Sequence, residues 1–231
     1  MNKGSNLNKE MFDSISKEYD FINNLITFGF HKKWKKEIVE ISKKIKPKKI
    51  LDLATGTADI AIELSTIENC KIIAVDPSSK MLKIGERKIQ KHNTKSNIFL
   101  EEGNAENLKY SDGTFDIVTI GYGVRNFTNL NNSLNEIYRV LKKDGLLIIL
   151  ETSLPTNPLM SFFYNIHTKF YVRLIGKIFS NNSNAYQYLE SSAKTFPYGE
   201  EFKKILRDAN FKDIIEEVKL FGASTLYISK K

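Results

Sequence analysis

ILDLATGTADIA, residues 50–61, runs from an apolar strand into a turn of small residues and out into a helix. Gly56 and its small neighbours let backbone approach a ligand, and the helix they open presents free N–H groups. A glycine between strand and helix also makes a plain turn, so the run needs a second feature. Asp76 supplies it by closing the next apolar run 20 residues after Gly56. At that spacing in an open α/β sheet a carboxylate reaches the ribose hydroxyls of a nucleoside ligand. The other reading of Asp76 is a cap for the helix that starts after Pro77.

Outward from this run, short β-branched segments alternate with helical patterns, the signature of βαβ units and a doubly wound parallel sheet. Strands are expected at 49–53, 71–75, 97–101, 115–120, 146–151, 214–220 and 225–229. The short turn around Gly222 permits only an antiparallel pair, so one strand of the seven is reversed. Helices are expected at 59–66, 79–92, 128–142 and 199–209, with Ser78 or Ser79 capping the second and Thr128 or Asn129 the third. Residues 10–45 read as a helical N-terminal extension, and 155–198 as a helical insertion between the fifth and sixth strands. At 231 residues the chain is one domain carrying a cap.

A formal charge of +8 raises nucleic acid or an anionic surface as partners. Only five of the 35 basic residues are arginine, the type suited to bidentate phosphate and base contacts, so nucleic acid is not expected. The single cysteine, Cys70, cannot form an internal disulfide, and its place before a strand suits a core thiol in a reducing compartment. The N-terminal residues lack the apolar run of a secretory signal and no stretch approaches a membrane span, so a cytoplasmic protein is expected. Three scattered histidines offer no metal-ligand pattern.

The ligand choice lies between a dinucleotide and S-adenosylmethionine. A pyrophosphate binder would show G-x-G-x-x-G, whereas the run here is Ala54-x-Gly56-x-Ala58, with the acid Asp52 at the strand end. An anion has little reason to sit beside Asp52, while a sulfonium cofactor with an amino group does. Asn104, after the third strand, has both a donor and an acceptor for an adenine edge, or is an ordinary loop amide. The Tyr138-x-x-x-Lys142 pair that short-chain dehydrogenases require sits in the last turns of a helix entering the fifth strand. It reads as a core tyrosine and a solvated helix end, which leaves a nicotinamide oxidoreductase as the weaker alternative.

MFDSISKEYDFINNLITFGFHKKW (11–34) resembles the first signature of the ubiquinone/menaquinone biosynthesis C-methyltransferases. Tyr19, Asp20, Asn23, His31 and Trp34 stand at its spacing, with Ile22 and Thr27 as departures. RVLKKDGLLIILETS (139–153) resembles the second signature, with Lys143 and Asp144 in place of Pro-Gly, and YGVRNF (122–127) resembles the motif after the fourth strand. The resemblance spans nearly the whole chain and is strongest to the members acting on demethylmenaquinone. It implies a class I, Rossmann-like methyltransferase fold and S-adenosylmethionine held by Gly56, Thr57, Asp76, Asn104, Ala105 and Gly121. Its implied substrate is a prenylated quinol methylated on carbon, with a ubiquinol precursor or another small aromatic as alternative. A homodimer is compatible with it.

Carbon methylation needs an electron-rich ring, so the hydroquinone rather than the quinone is the acceptor, helped by a cation near the developing phenolate. Arg125 is the expected stabiliser, or else half of an ion pair with an acid such as Asp20. Asn126 and Tyr122 would orient the ring, and His31 is either a base or a residue packed beside Trp34. In the insertion Phe163, Phe170, Leu174 and Ile178 recur at helical intervals, as core or as a cap over an apolar substrate. His167, Lys169, Arg173 and Lys177 among them rule out a membrane span but suit an interfacial helix over 155–180.

Overall fold

Seven strands form one sheet: β1 (Lys49–Leu53), β2 (Lys71–Asp76), β3 (Ile98–Glu102), β4 (Phe115–Gly121), β5 (Leu141–Thr152), β6 (Lys212–Lys219) and β7 (Ser224–Lys230). The computed structural model describes residues 3–92, 97–172, 174, 175, 178 and 183–231, so Arg173 and Lys177 lie outside the described residues. Strand order is β3-β2-β1-β4-β5-β7-β6. All neighbours are parallel except β7, which runs antiparallel to both β5 and β6. The order reverses between β1 and β4, which opens a crevice at their carboxyl ends.

Successive residues of β1 serve opposite faces. Ile50 packs with Trp34, Ile38, Ile60 and Leu64, while Leu51 and Leu53 pack with Leu134, Ile137, Phe202 and Leu206. Helices α3 (Phe30–Lys43), α4 (Asp59–Leu64) and α5 (Ser79–Lys91) therefore cover one face, and α6 (Leu130–Val140) and α9 (Glu200–Asp208) the other. Coverage on both sides is why these strands read as unbroken apolar runs. Ser78 caps α5 and Asn129 caps α6 through their side chains. Cys70 is buried, and its thiol is pushed up to about 11 by that burial.

Two expectations at β5 are corrected. The strand begins at Leu141, not 146, and α6 ends at Val140. Leu141 pairs with Phe115 across a bulge, and Lys142 bridges Asp116 at 2.6 Å, so long-range contacts extend residues that continue the helical pattern. Lys142 is thus a strand residue, not a helix end. Tyr138 is a partly buried core residue, edge-on to Phe211 at 5.3 Å.

The extension comprises α1 (Lys3–Ile15), α2 (Tyr19–Ile26) and α3, starting before the expected residue 10. The insertion holds α7 (Pro158–Ile166), a π-helical turn (His167–Val172) and α8 (Ser183–Thr195). These segments build a third core in which Ile15 and Ile22 pack with Ile175 and Ala185. Fully burying each isoleucine contributes about 1.5–3 kcal/mol, which holds a roof over the carboxyl edge. Phe163, Phe170, Leu174 and Ile178 stay outside this core, with Phe163 55% and Phe170 71% exposed. The core reading of that stripe does not hold. No helix among the described residues is long and apolar enough to cross a membrane.

Candidate active site

Between β1 and α4 the backbone turns through the left-handed region three times, at Ala54, Gly56 and Ala58. Glycine takes this conformation freely at 56, whereas Ala54 and Ala58 hold it against the steric cost of a Cβ. The turn is pinned to β2: Thr55 N–H donates to the Val75 carbonyl at 3.0 Å, and Gly56 N–H to Asp76 Oδ2 at 2.8 Å. The other Asp76 oxygen accepts Ser78 N–H at 2.8 Å. Asp76 therefore braces both loops, and each of its oxygens keeps a further lone pair for a ligand hydroxyl. Burial pushes its carboxyl up to about 6, against the two backbone N–H groups.

Asp76 lines a cleft of about 830 Å3 that also takes in Leu53, Met81, Asn104, Ala105 and Gly121. Apolar walls with a few polar groups, the Asp76 carboxylate and the Asn104 amide among them, are the character of a small-molecule site. Asn104 Oδ1 is already used, accepting N–H bonds from Glu106 and Asn107 at 3.1 and 3.2 Å, so its amide NH2 is what remains for a base edge. Ala105 is buried beside it. Above the cleft Asn8 of α1 donates to the Asn126 carbonyl at 3.0 Å, and Lys9 bridges Glu102 at 2.6 Å. The sequence reading missed both, because their partners lie in distant segments.

Glycine after β4 is a matter of space. A Cβ on Gly121 would lie 2.3 Å from Ile60 Cδ1, and one on Gly123 2.4 Å from Ala54 Cβ. Ile60 can swing away, but Ala54 cannot. Gly123→Ala is expected to cost about 1–3 kcal/mol of stability by overpacking and to weaken cofactor binding about tenfold. Melting curves and calorimetry on one preparation would measure both, and normal values would show that the Ala54 turn yields.

A second cavity, of about 1120 Å3, shares Tyr19, Ala54, Gly56, Gly121 and Tyr122 with the first. Arg125 lines it, held by Glu151 at the end of β5 in an ion pair with both side chains buried. Arg125 also donates to the Tyr122 carbonyl at 2.9 Å, and its Nε is buried without a partner. The expected partner Asp20 is occupied elsewhere, accepting from Thr57 Oγ1 at 2.6 Å and Lys88 Nζ at 2.8 Å. Tyr122 sits at φ 58°, its hydroxyl 3.1 Å from Ser224 Oγ. Asn126 Oδ1 accepts from the Tyr188 hydroxyl at 3.2 Å, and Asn126 lines the first cleft rather than the second.

Thr57 and Asp52, both expected at the cofactor, line the second cavity. Asp52 accepts from Thr55 and Thr119 hydroxyls at 2.6 Å each, and burial pushes its carboxyl up to about 6. Its folded pKa lies above the ordinary 3.8, so the folded state binds the proton more tightly and this group adds stability as pH falls from 7 towards 4. Asp52→Asn, which can keep both hydroxyl contacts, is expected to be at least as stable as the wild type at pH 7 and to lose this gain on acidification. Urea melts across that range test it, and an unchanged pH profile would refute it. His31, also on this cavity, is buried beside Trp34 and has Nδ1 2.5 Å from Thr27 Oγ1.

The sequence model of the ubiE/COQ5 methyltransferase family matches residues 1–231. A demethylmenaquinone methyltransferase of Staphylococcus carnosus is 38% identical over 96% of this chain and 92% of its own. The protein of that name from Bacteroides fragilis is 33% identical over 96% and 91%. A ubiquinone/menaquinone biosynthesis C-methyltransferase of Geotalea uraniireducens is 36% identical over 96% and 95%. Among solved structures, a SAM-dependent methyltransferase from Thermotoga maritima superposes with a TM-score of 0.64 at 21% identity, covering 96% of this chain and 99% of that one. One from Aquifex aeolicus gives 0.57 at 17%, covering 79% and 81%.

Proposed function

The chain belongs to the ubiE/COQ5 methyltransferase family, and from that premise we propose that it methylates a ring carbon of demethylmenaquinol, a prenylated hydroquinone. It is an S-adenosylmethionine-dependent enzyme, and the cofactor supplies a methyl group activated on a sulfonium. The observation that carries the reading is the shared floor of the two cavities at Gly56, Gly121 and Tyr122. One cavity is lined by the Asp76 carboxylate and the Asn104 amide and the other holds a buried arginine, so donor and ring would meet across Gly56 and Gly121, flanked by Tyr19 and Tyr122.

The cleft residues fit the cofactor. Asp76 would hold the ribose hydroxyls and Asn104 with Ala105 the base, while Asp52, on the second cavity, would face the positively charged end across the shared Gly56. In the second cavity Arg125 would set its positive charge against the ring oxygen beside the reacting carbon. That oxygen's proton leaves to water, its charge spreads onto the carbon, and the carbon's own hydrogen departs as a second proton once the new bond has formed. The proton lost first returns to the oxygen, so the balance is a methyl gained and one proton released. Tyr122, whose carbonyl accepts from Arg125, would position it at the ring edge, while Asn126 faces the cofactor cleft instead of the ring, and the buried walls would exclude bulk water.

Anaerobic incubation with S-adenosylmethionine and chemically reduced demethylmenaquinone tests this, with mass spectrometry and NMR of the product. Methyl on a ring carbon is expected; methyl on oxygen, or no transfer, would overturn it. A ubiquinol precursor is the second substrate to try, because one relative's name covers both quinones. NAD is expected not to compete with the cofactor.

The roof supports a route for the prenyl chain. Tyr164, Thr168 and Val172 line the ring cavity, while Phe162, Phe163, Phe170 and Leu174 of the same stretch are exposed. With a net charge of +8, that surface suits an anionic bilayer from which the substrate is drawn. Replacing Phe163 and Phe170 by Ser is expected to raise KM for the prenylated quinol more than for a short-chain analogue, and to lower recovery on anionic vesicles. Equal effects on both substrates would count against the route.

A further inference from the structure

Thr27 Oγ1 makes two short contacts, one to the Asn23 carbonyl at 2.7 Å and one to His31 Nδ1 at 2.5 Å. A hydroxyl has one proton, and a carbonyl can only accept it. The Thr27 proton therefore goes to Asn23, and His31 Nδ1 carries the hydrogen that Thr27 accepts. That assigns the tautomer, leaving a lone pair on Nε2. Nε2 has no partner among the described residues, and it is not sealed away, on a side chain that lines the ring cavity.

Asp20, Asp52 and Asp59 on the same wall each already hold donors from the protein, whereas His31 Nε2 holds none among the described residues. Asp20 accepts from Thr57 and Lys88, Asp52 from Thr55 and Thr119, and Asp59 from Lys35 and Lys88. Burial, with Lys35 and Lys32 beside it, lowers the His31 pKa to about 4 against the pull of Asp59 and Asp20, so the ring is neutral at physiological pH. Arg125 and Lys35 offer only donors. Such a cavity presents donors at one place and an open acceptor at another.

We propose that His31 Nε2 accepts a hydrogen bond from a hydroxyl of the bound ring and so selects the reduced hydroquinone over the quinone. A hydroquinone offers O–H donors, whereas a quinone offers only acceptor oxygens, which would leave Nε2 facing another lone pair. Discrimination by a missing hydrogen is strong where the site's own polar group is then stranded. The inference rests on the function proposed above, and it gives the enzyme a means of refusing the form that cannot be methylated.

The test titrates 1,4-naphthalenediol under anaerobic reduction, and separately 1,4-naphthoquinone, into wild type, His31→Phe, His31→Gln and Thr27→Val, each with cofactor affinity and melting temperature measured. His31→Phe is expected to lose affinity for the diol by about 10–100-fold while binding the quinone as well as wild type or better. His31→Gln, whose oxygen can accept, should recover part of the loss. Thr27→Val keeps the ring but frees the tautomer, so its preference for the diol should shrink even if His31→Phe does not fold, and the nitrogen NMR shifts of the imidazole should move with it. Equal losses for both ring forms, or none, would overturn the assignment. Failure of the wild type to bind either ring would instead overturn the reading of the cavity, and this inference with it.

Discussion

Arg125→Met is expected to lose about 3–5 kcal/mol of folding stability, because it leaves the Glu151 carboxylate buried with no cation to answer it. That loss would mask any effect on chemistry, so the informative variant is Arg125→Met with Glu151→Gln. Gln keeps an acceptor for Thr152 N–H, which Glu151 now takes at 2.7 Å, and removes the stranded charge. The double variant should regain most of the stability and bind the cofactor nearly as well as wild type. Its single-turnover rate should nevertheless stay down by roughly 10²–10³-fold, the loss that follows removal of an electrostatic stabiliser. Arg125→Lys should satisfy Glu151 yet recover little rate, since an ammonium lacks the planar fork. Near-normal turnover in the double variant would make the pair structural and remove Arg125 from the mechanism.

Asp76→Ala is the second large effect, on the cofactor rather than the ring. A hydrogen bond to a charged group is worth on the order of 1.5–3 kcal/mol, so affinity for S-adenosylmethionine should fall by roughly 10- to 150-fold. The same substitution frees Gly56 and Ser78 N–H groups, which Asp76 now accepts at 2.8 Å each. Asp76→Asn separates the two roles, because one amide oxygen can still brace one loop while the charge is gone. The Asn variant should melt closer to wild type than the Ala variant, yet still bind weakly. Calorimetry showing unchanged affinity in a folded Ala variant would discard the proposed ribose contact.

The strand-turn-helix at 50–61 and the acid at 76 were legible because their geometry is local: small residues permit the turn, and the spacing brings the carboxylate beneath it. The central strands β1, β2, β4 and β5 were legible because burial on both faces makes them largely apolar. What stayed hidden depends on pairing across the sheet. Glu151 is the clearest case, since β4 and β5 pair Gly121 with Leu150, which sets the next residue of β5 beside the loop that carries Arg125. An N-terminal acid such as Asp20 is as close as sequence alone comes to a partner for Arg125, because Glu151 is brought there only by strand order. The inner end of α1 was hidden for a similar reason, as Asn8 and Lys9 are anchored by partners about a hundred residues away. The exposure of Phe163 and Phe170 could not be read from a helical stripe, because periodicity says that a face is apolar and not what covers it.

The place of β7 in the sheet bears on how the protein is made. It is the last strand in chain order, yet it lies between β5 and β6 and supplies both their neighbours. While a ribosome is still decoding residues 224–230, β6 has been synthesised but has nothing to pair with, and β5 shows an open edge. The parallel half, from β3 to β5, can assemble as it emerges; the other half must wait for β7. Ile215 and Val218, more than half exposed even in the finished sheet, then stand on an unpaired strand, the kind of apolar β-branched segment that chaperones hold and that aggregation recruits. A ribosome stalled shortly before β7 would thus leave a nascent chain whose crevice between β1 and β4 is formed but whose sheet is half zipped.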